Sequence, residues 1–236
     1  MIIEIEKEQN IQFDTRKQIV LSSIKAFLEF LDRENTISGN DLDKDFIVFG
    51  TRNFDILWQR ACEISFSDIK DMPFDQLHSQ KIIDMAKPVK SKAESSFQKE
   101  MSRPEWVVES KKTQGDPLEM DCVGHRKVGN VDYIYIIDAK YYHIEVTKPG
   151  VNDIVKQYAY EMSMNKTLRD VKAHRVKVKN YFIVPTDSKT IKKGWVQMDV
   201  FKNTPNLGRI FVRSVPAKDI LRCYVNNTHL DVKTLD

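Results

Sequence analysis

The sequence predicts an α/β (α+β) fold with a mixed sheet. Three β-favouring runs begin near Trp106, a helix-patterned stretch follows the Pro149-Gly150 break, and another β-favouring run occupies residues 180–185. Runs that are joined by short turns form antiparallel pairs, whereas a helix between two strands of one sheet requires a crossover and makes a parallel pair. The sheet is therefore expected to contain both kinds of pairing.

Two helices are predicted before the sheet. Apolar residues recur at helical spacing in residues 15–33 and again in residues 54–66, which follow a short apolar run at 46–50. Competent capping residues precede the second of these helices. Residues 67–103 are polar and weakly patterned, and a helical insertion or arm is predicted there.

The strands and the later helices follow from alternation and turn signals. The three early runs are EWVVES (105–110), LEMDCVGHRKV (118–128) and VDYIYIIDAKYYHIE (131–145). The later elements are expected to be a helix at 151–164, strands at 180–185, 194–201 and 209–215, and a helix from Pro216 through Tyr224.

Composition places the chain among ordinary globular proteins. Its 236 residues are 41% hydrophobic and 30% charged, which excludes both a disordered chain and a membrane span. The first ten residues lack the apolar core of a signal peptide, so a cytoplasmic location is expected. Three widely separated cysteines are too few and too irregular for a disulfide framework and predict buried thiols.

Asp138 and Lys140 interrupt the most β-favouring run of the chain. Residues two apart in a strand point to one face, so both side chains address one site. If Gly129 and Asn130 form a two-residue turn, Val128 faces Val131, and the same register places Asp121 opposite Asp138.

Two carboxylates on adjacent strands repel each other unless a cation lies between them. Mg²⁺ commonly binds one or two carboxylates together with waters and a substrate phosphate. Lys140, on the same face, would point at the attacking water or at the phosphate. The three groups therefore predict metal-assisted attack of water on a phosphodiester.

These residues resemble the PD-(D/E)xK nuclease superfamily, and IIDAKYY followed by GVNDIVKQYAYE is most similar to LlaJI-type type II restriction endonucleases, with a more distant likeness to McrC-type nuclease subunits. The resemblance implies a Mg²⁺-dependent, sequence-specific DNA endonuclease with an αβββαβ core, for which Mn²⁺ is expected to substitute. It implies that Asp121, Asp138 and the Ala139 carbonyl bind metal, that Lys140 and Gln157 act in catalysis, and that Tyr160 is an accessory residue.

The same resemblance sets the expected domains and partners. A nuclease domain is expected at 46–225, with an insertion at about 67–103, an N-terminal helical extension at 1–45 and a tail at 226–236. Double-stranded DNA, a homodimer and a companion DNA methyltransferase are the implied partners. Many relatives carry a glutamate on the helix before the sheet, where this chain has Gln59, and Glu63 one turn later could substitute for it.

A basic stretch at residues 166–180 contains six Lys or Arg residues and one acid. It is either a solvated surface or a strip that follows the DNA backbone. The predicted DNA-binding residues are Lys156, Lys166, Arg169, Lys172, Arg175, Lys177 and Lys179.

Other interpretations of these residues stay open from sequence alone. The Asp138/Lys140 pair could be a simple ion pair near a strand end, and Asp121 a solvated residue on an edge strand. Gln157 and Tyr160 could be packing residues. Glu109 and Lys111 form a weaker rival pair, and the whole chain could be a DNA-binding subunit that lacks activity or needs a separate nucleotide-driven partner.

Overall fold

The computed structural model describes residues 54–236, together with Leu21, Ser22, Ile24 and Lys25, which have helical conformation. The rest of the helix predicted at 15–33 and the apolar run at 46–50 lie outside the described residues. A compact unit spans Trp58–Asp236. No helix within the described part of the chain is long and apolar enough to cross a membrane.

Seven strands form two sheets in residues 54–236. The main sheet has five strands in the order β3-β4-β5-β7-β6, and β1 and β2 form a separate hairpin. The β3/β4 and β6/β7 pairs are antiparallel, whereas β4/β5 and β5/β7 are parallel, which confirms the predicted mixed sheet. The strands are β1 Glu105–Val108, β2 Lys111–Gln114, β3 Cys122–Val128, β4 Val131–Ala139, β5 Val176–Thr186, β6 Lys192–Val196 and β7 Ile210–Pro216.

Five α-helices are described in residues 54–236. They are α1 Phe54–Ser65, α2 Phe74–Ser79, α3 Lys90–Ala93, α4 Val151–Asp170 and α5 Ala217–Asn226, and short 3₁₀ turns lie at Asp199–Phe201 and Val232–Leu235. Helix α4 makes the crossover that joins the parallel strands β4 and β5. The predicted helix at 151–164 is therefore confirmed and continues for six more residues.

The main sheet is covered on both faces. Ile134 and Ile136 of β4 belong to one buried cluster with Tyr160 and Met164 of α4. Tyr135, Ile137 and their neighbours belong to a second cluster, which contains residues of α1 and α5. Because alternate residues of β4 point to opposite faces, Asp138 lies on the α4 face together with Ile134 and Ile136.

The β3/β4 register is the one predicted from the Gly129-Asn130 turn. Val128 pairs with Val131, and the ladder continues to the pair Cys122 and Ile137. Gly129 has a φ of 59°, the left-handed conformation that such a turn requires. Asp121 immediately precedes β3, and continuing the same register by one residue places it opposite Asp138.

The first predicted strand does not join the main sheet. Residues 105–108 pair with Lys111–Gln114 across a tight turn at Glu109 and Ser110, whose φ values are 47° and 64°. The polar sequence KKTQ gave no strand signal, so the second half of this hairpin was missed. The run predicted as a strand at 194–201 is also shorter than expected, because its last residues form a 3₁₀ turn.

The predicted insertion at 67–103 is packed against the core. Phe74, Leu77 and Phe97 are fully buried there, although only two short helices form. Its first residues cover the outer edge of β3: Ile69 N–H donates to the Val123 carbonyl at 2.9 Å, and Val123 N–H donates to Asp68 Oδ1 at 2.8 Å. The segment therefore supplies hydrogen-bond partners to the outer edge of β3 beside Asp121.

Candidate active site

Two carboxylates meet where β3 begins and β4 ends. Asp121 Oδ2 accepts a hydrogen bond of 3.0 Å from the Ala139 N–H, which fixes its side chain across the two strands. The Asp121 and Asp138 side chains lie close enough for each charge to act on the other. The prediction that these acids share one face of the sheet is therefore met by the geometry.

The Asp138 carboxylate is buried without compensation by hydrogen bonds. The residue is 2% exposed, and neither of its carboxylate oxygens receives a hydrogen bond within the described structure. Lys140 Nζ lies 3.1 Å from Oδ1, but without the alignment of a hydrogen bond. A buried carboxylate normally gains several donors, so this one is available to another ligand.

The pKa of Asp121 is changed by the same environment. Burial, followed by the negative charge of Asp138, raises its pKa from 3.8 to about 7. The Ala139 N–H and the Lys140 charge lower it by smaller amounts. Two carboxyl groups held together without a cation therefore favour keeping one proton between them.

Lys140 lies between two acids. Its Nζ is 2.9 Å from Asp153 Oδ1 in addition to its contact with Asp138, and its backbone N–H donates to the Ile183 carbonyl. Burial opposes the charge on Lys140, but Asp138 and the hydrogen bond with Asp153 outweigh it and raise the lysine pKa. The ammonium is therefore held, charged, at the end of β4.

Asp153 belongs to the first turn of α4. Its Oδ2 accepts the Gly150 N–H at 3.1 Å, while its other oxygen contacts Lys140. Burial raises the pKa of Asp153, but the hydrogen bond and charge of Lys140 lower it by more. One carboxylate thus caps the helix and orients the lysine.

Helix α4 brings two further predicted residues toward the pair. Gln157 is fully buried, and neither polar atom of its side chain has a hydrogen-bond partner within the described structure. The Tyr160 hydroxyl donates to the Glu119 carbonyl, two residues before Asp121. Burial, followed by the charges of Asp121 and Asp138, raises the Tyr160 pKa.

Comparison with known families identifies the chain. A profile of the LlaJI restriction endonuclease family matches residues 84–207, a little more than half of the chain. The chain belongs to this family. The matched part contains the whole carboxylate and lysine cluster together with α4, so the resemblance to LlaJI-type enzymes that the IIDAKYY sequence carries is confirmed.

One curated relative adds the same context. The type II restriction enzyme BsuMI component YdjA of Bacillus subtilis (strain 168) is 26% identical over 179 residues. The alignment covers 71% of this chain and 31% of YdjA, so the chain spans less than a third of the length of that relative. Both comparisons connect this LlaJI-family chain to restriction systems.

The two candidates on α1 lie apart from the carboxylate pair. Glu63 forms ion pairs with Arg60 and, at 3.1 Å, with Lys70, while Lys70 Nζ donates to the backbone carbonyl of Asp121 at 2.6 Å. Gln59 is partly buried, and no described residue is a hydrogen-bond partner of its side chain. Glu63 is therefore linked to Asp121 through Lys70 and the main chain.

A cleft of about 580 Å³ lies beside these residues, and it is lined by Glu63, Asp68, His125 and His229 among others. Asp121, Asp138 and Lys140 do not line this cleft. Glu63 faces the cleft, and its role in the LlaJI-family site stays a prediction.

The predicted DNA-binding residues are divided by the topology. Lys156 is in the second turn of α4, and its Nζ lies 5.3 Å from the centre of the Tyr160 ring, near the carboxylates. The other six lie toward the C-terminus of α4, in the connection after it, or along the first half of β5. Because β4 and β5 are parallel, this half of β5 is beside the start of β4, at the end of the sheet away from Asp138.

The structure therefore places these six residues away from the carboxylates. Lys166 pairs with Asp170, and Lys179 pairs with Asp236 and lies over the Tyr133 ring. The role of these six residues in DNA binding stays a prediction, and any DNA contact that they make would lie away from the carboxylates.

Sequence reasoning missed two residues of the site. Asp153 falls in the first turn of the predicted helix at 151–164, and the sequence alone does not connect this turn with Lys140. Lys70 lies in a segment without periodicity, and no sequence signal connects it to Asp121. The rival pair Glu109 and Lys111 is in the exposed hairpin, where Glu109 belongs to the turn.

Proposed function

We propose that this chain is a Mg²⁺-dependent DNA endonuclease of a type II restriction system, with a PD-(D/E)xK site at Asp121, Asp138 and Lys140. The observation that carries the proposal is the buried Asp138 carboxylate, which accepts no aligned hydrogen bond within the described residues, lies 3.1 Å from the Lys140 ammonium and is beside a second carboxylate. Membership of the LlaJI family and the likeness to a restriction enzyme component support DNA as the substrate.

The donor set fits a hard divalent cation. Asp121 and Asp138 present carboxylate oxygens, and the Ala139 carbonyl at the end of β4 is a candidate third oxygen ligand. Within residues 54–236 no third acid, histidine or cysteine completes a protein-only cluster, which suits Mg²⁺ because it keeps several waters and a substrate phosphate as ligands. Mn²⁺ is expected to substitute. When bound, the cation supplies Lewis acidity at the scissile phosphate.

Side chains of the protein would provide the other functions of the site. Lys140, held by Asp153 and Asp138, places a positive charge where negative charge grows on the phosphate, or orients the attacking water. Tyr160 holds the chain before Asp121 through the Glu119 carbonyl, and Gln157 offers a free amide on the same face of α4. Tyr160 is therefore a positioning residue, and Gln157 is a candidate contact for a ligand in the site.

Sequence-specific cutting, a homodimer and a companion methyltransferase belong to the same proposal. A palindromic duplex presents two equivalent scissile bonds, which two copies of one site cut most simply. The restriction context of the LlaJI family is the support for a methyltransferase that protects the recognition sequence.

Cleavage of plasmid DNA tests the proposal. The wild-type chain is expected to nick or linearise the plasmid with Mg²⁺ and to stop when EDTA is added, whereas Asp138→Ala is inactive. Asp116→Asn, at an exposed position in the loop after the hairpin, is the matched control and keeps wild-type activity. Cleavage by Asp138→Ala at the wild-type rate would remove the basis of the assignment.

A second candidate function is a subunit that binds DNA and depends on another chain for activity. The name of YdjA as a component, and the small share of YdjA that this chain spans, favour this candidate. It predicts that the isolated chain binds DNA but does not cut it with Mg²⁺ alone. Activity that appears only when a partner and a nucleotide are added would establish it.

A further inference from the structure

We propose that the chain has a second DNA-contacting surface at the end of the sheet away from the carboxylates, made by Lys81, Lys127, Lys172 and Arg175. It is called the distal basic surface below. The inference rests on the proposed function for its choice of ligand, the phosphate backbone of double-stranded DNA. It differs from that function in location, because these residues do not approach Asp121 or Asp138.

Three chain segments that are far apart in sequence form this surface. Residues 81–86 meet residues 172–174 through a bridge between Met85 and Ala173, and Ala86 N–H donates to the Lys172 carbonyl at 3.2 Å. His174 N–H donates to the Asp84 carbonyl at 2.7 Å. The β3/β4 hairpin joins them, since Asp132 N–H donates to the Arg175 carbonyl at 3.0 Å.

Asp132 lies under the surface as a fully buried acid. One carboxylate oxygen accepts the Asp84 N–H at 2.9 Å and lies 3.7 Å from Lys127 Nζ, and the other contacts His125 Nε2 at 3.0 Å. A fully buried carboxylate is costly unless its partners are fixed. Asp132 therefore holds the hairpin and the segment at 81–86 in a defined arrangement beneath the exposed cations.

Three of the four cations have no acid partner in the described part of the chain. Lys81, Lys172 and Arg175 are exposed, and within residues 54–236 no ion pair forms for any of them. Lys127 lies 3.7 Å from the buried Asp132, whose other carboxylate oxygen contacts His125. Cations without a carboxylate partner attract a polyanion because no local negative charge neutralises them.

Three of these residues have left-handed backbone conformations, with φ of 54° at Lys81, 52° at Lys172 and 53° at Arg175. Lys81 and Lys172 follow the ends of α2 and α4, where glycine is the usual residue. A side-chain-bearing residue there costs about 1 kcal/mol, so helix termination alone does not account for a lysine at both positions. Long, positively charged side chains at strained backbone positions are consistent with a surface that binds an anion.

The spacing along β4 defines what this surface can contact. Asp132 and Asp138 are six residues apart, which is about 20 Å in a strand. One phosphate cannot reach both places. A duplex that lies along the sheet would contact the distal basic surface about six base pairs from the bond at the carboxylates.

Equilibrium binding to a 30-base-pair duplex without cleavage tests the inference. Wild type, the triple variant Lys127→Gln, Lys172→Gln, Arg175→Gln and a control triple variant Lys90→Gln, Lys99→Gln, Lys202→Gln are compared in EDTA over a range of KCl concentrations. Each lost phosphate contact lowers the slope of log K against log salt by about 0.9. The distal variant is expected to lose about 2 to 3 units of slope and about tenfold or more in affinity at 0.15 M salt, and the control to keep both.

Three outcomes are distinguished by this design. A distal variant with the slope and affinity of wild type overturns the inference, including the case in which the surface binds an acidic protein instead. Because binding is measured without Mg²⁺, a chain that binds as expected but never cuts DNA refutes only the endonuclease proposal. If the triple variant fails to fold, Lys172→Gln alone is expected to reduce the slope by about 0.9, and an unchanged slope overturns the inference.

Discussion

Asp121→Asn is expected to stabilise the metal-free protein at neutral pH. The pKa of Asp121 is raised from 3.8 to about 7, first by burial and then by the charge of Asp138. Between these two pH values the unfolded chain has lost the proton that the folded chain keeps. Stability therefore falls as pH rises from about 4 to about 7 and stays lowered above that range.

The magnitude follows from the size of the shift. About three pKa units at 1.36 kcal/mol each give an upper limit of about 4 kcal/mol, and sharing of the proton with Asp138 reduces this to about 2 to 4 kcal/mol. Asparagine keeps an oxygen for the Ala139 N–H and can donate its amide to Asp138, so the change removes repulsion without removing the hydrogen bond.

Urea denaturation at pH 5 and pH 8 in EDTA measures this effect. The gain of Asp121→Asn over wild type is expected to be about a third of its full size at pH 5 and to approach its full size at pH 8, while Asp116→Asn follows wild type at both. Mg²⁺ is expected to stabilise wild type more than Asp121→Asn. An equal pH dependence for wild type and Asp121→Asn would refute the repulsion between the two acids.

Three further changes test other parts of the structure. Lys140→Met is expected to lower the DNA cleavage rate about 10²- to 10³-fold and to leave duplex affinity nearly unchanged, measured by single-turnover cleavage and anisotropy. Asp153→Asn, which keeps an acceptor for Gly150 N–H, is expected to lower the cleavage rate while the melting temperature stays close to that of wild type; an unchanged rate would limit Asp153 to helix capping. Trp58→Ala is expected to cost about 3 to 5 kcal/mol in urea denaturation, since Trp58 is fully buried and donates to the Ile183 carbonyl.

The central pair was predictable because its geometry is local. A two-residue turn fixes the register of the hairpin, and the observed pairing of Val128 with Val131 carries that register to Asp121 and Asp138. The Lys140 position follows from strand periodicity alone. Helix α4 was predictable from the helical periodicity of its apolar residues, and the parallel strand β5 was predictable from the crossover rule.

Contacts between distant segments were not predictable in the same way. Asp153 reaches Lys140 across the loop after β4, and Lys70 reaches Asp121 from a segment without a pattern. The position of the basic stretch follows from the crossover, because a helix of twenty residues spans about 30 Å and carries the chain back to the other end of the sheet. The partner strand at 111–114 is polar and exposed, so pairing and not composition determines it.

A crystal of the wild-type protein soaked in Mn²⁺ tests the shared cation most directly. The anomalous difference map is expected to show one strong peak in contact with carboxylate oxygens of both Asp121 and Asp138, and the peak is expected to disappear in Asp138→Ala. A peak bound to other residues, or none at a Mn²⁺ concentration that supports cleavage, would contradict the proposed site.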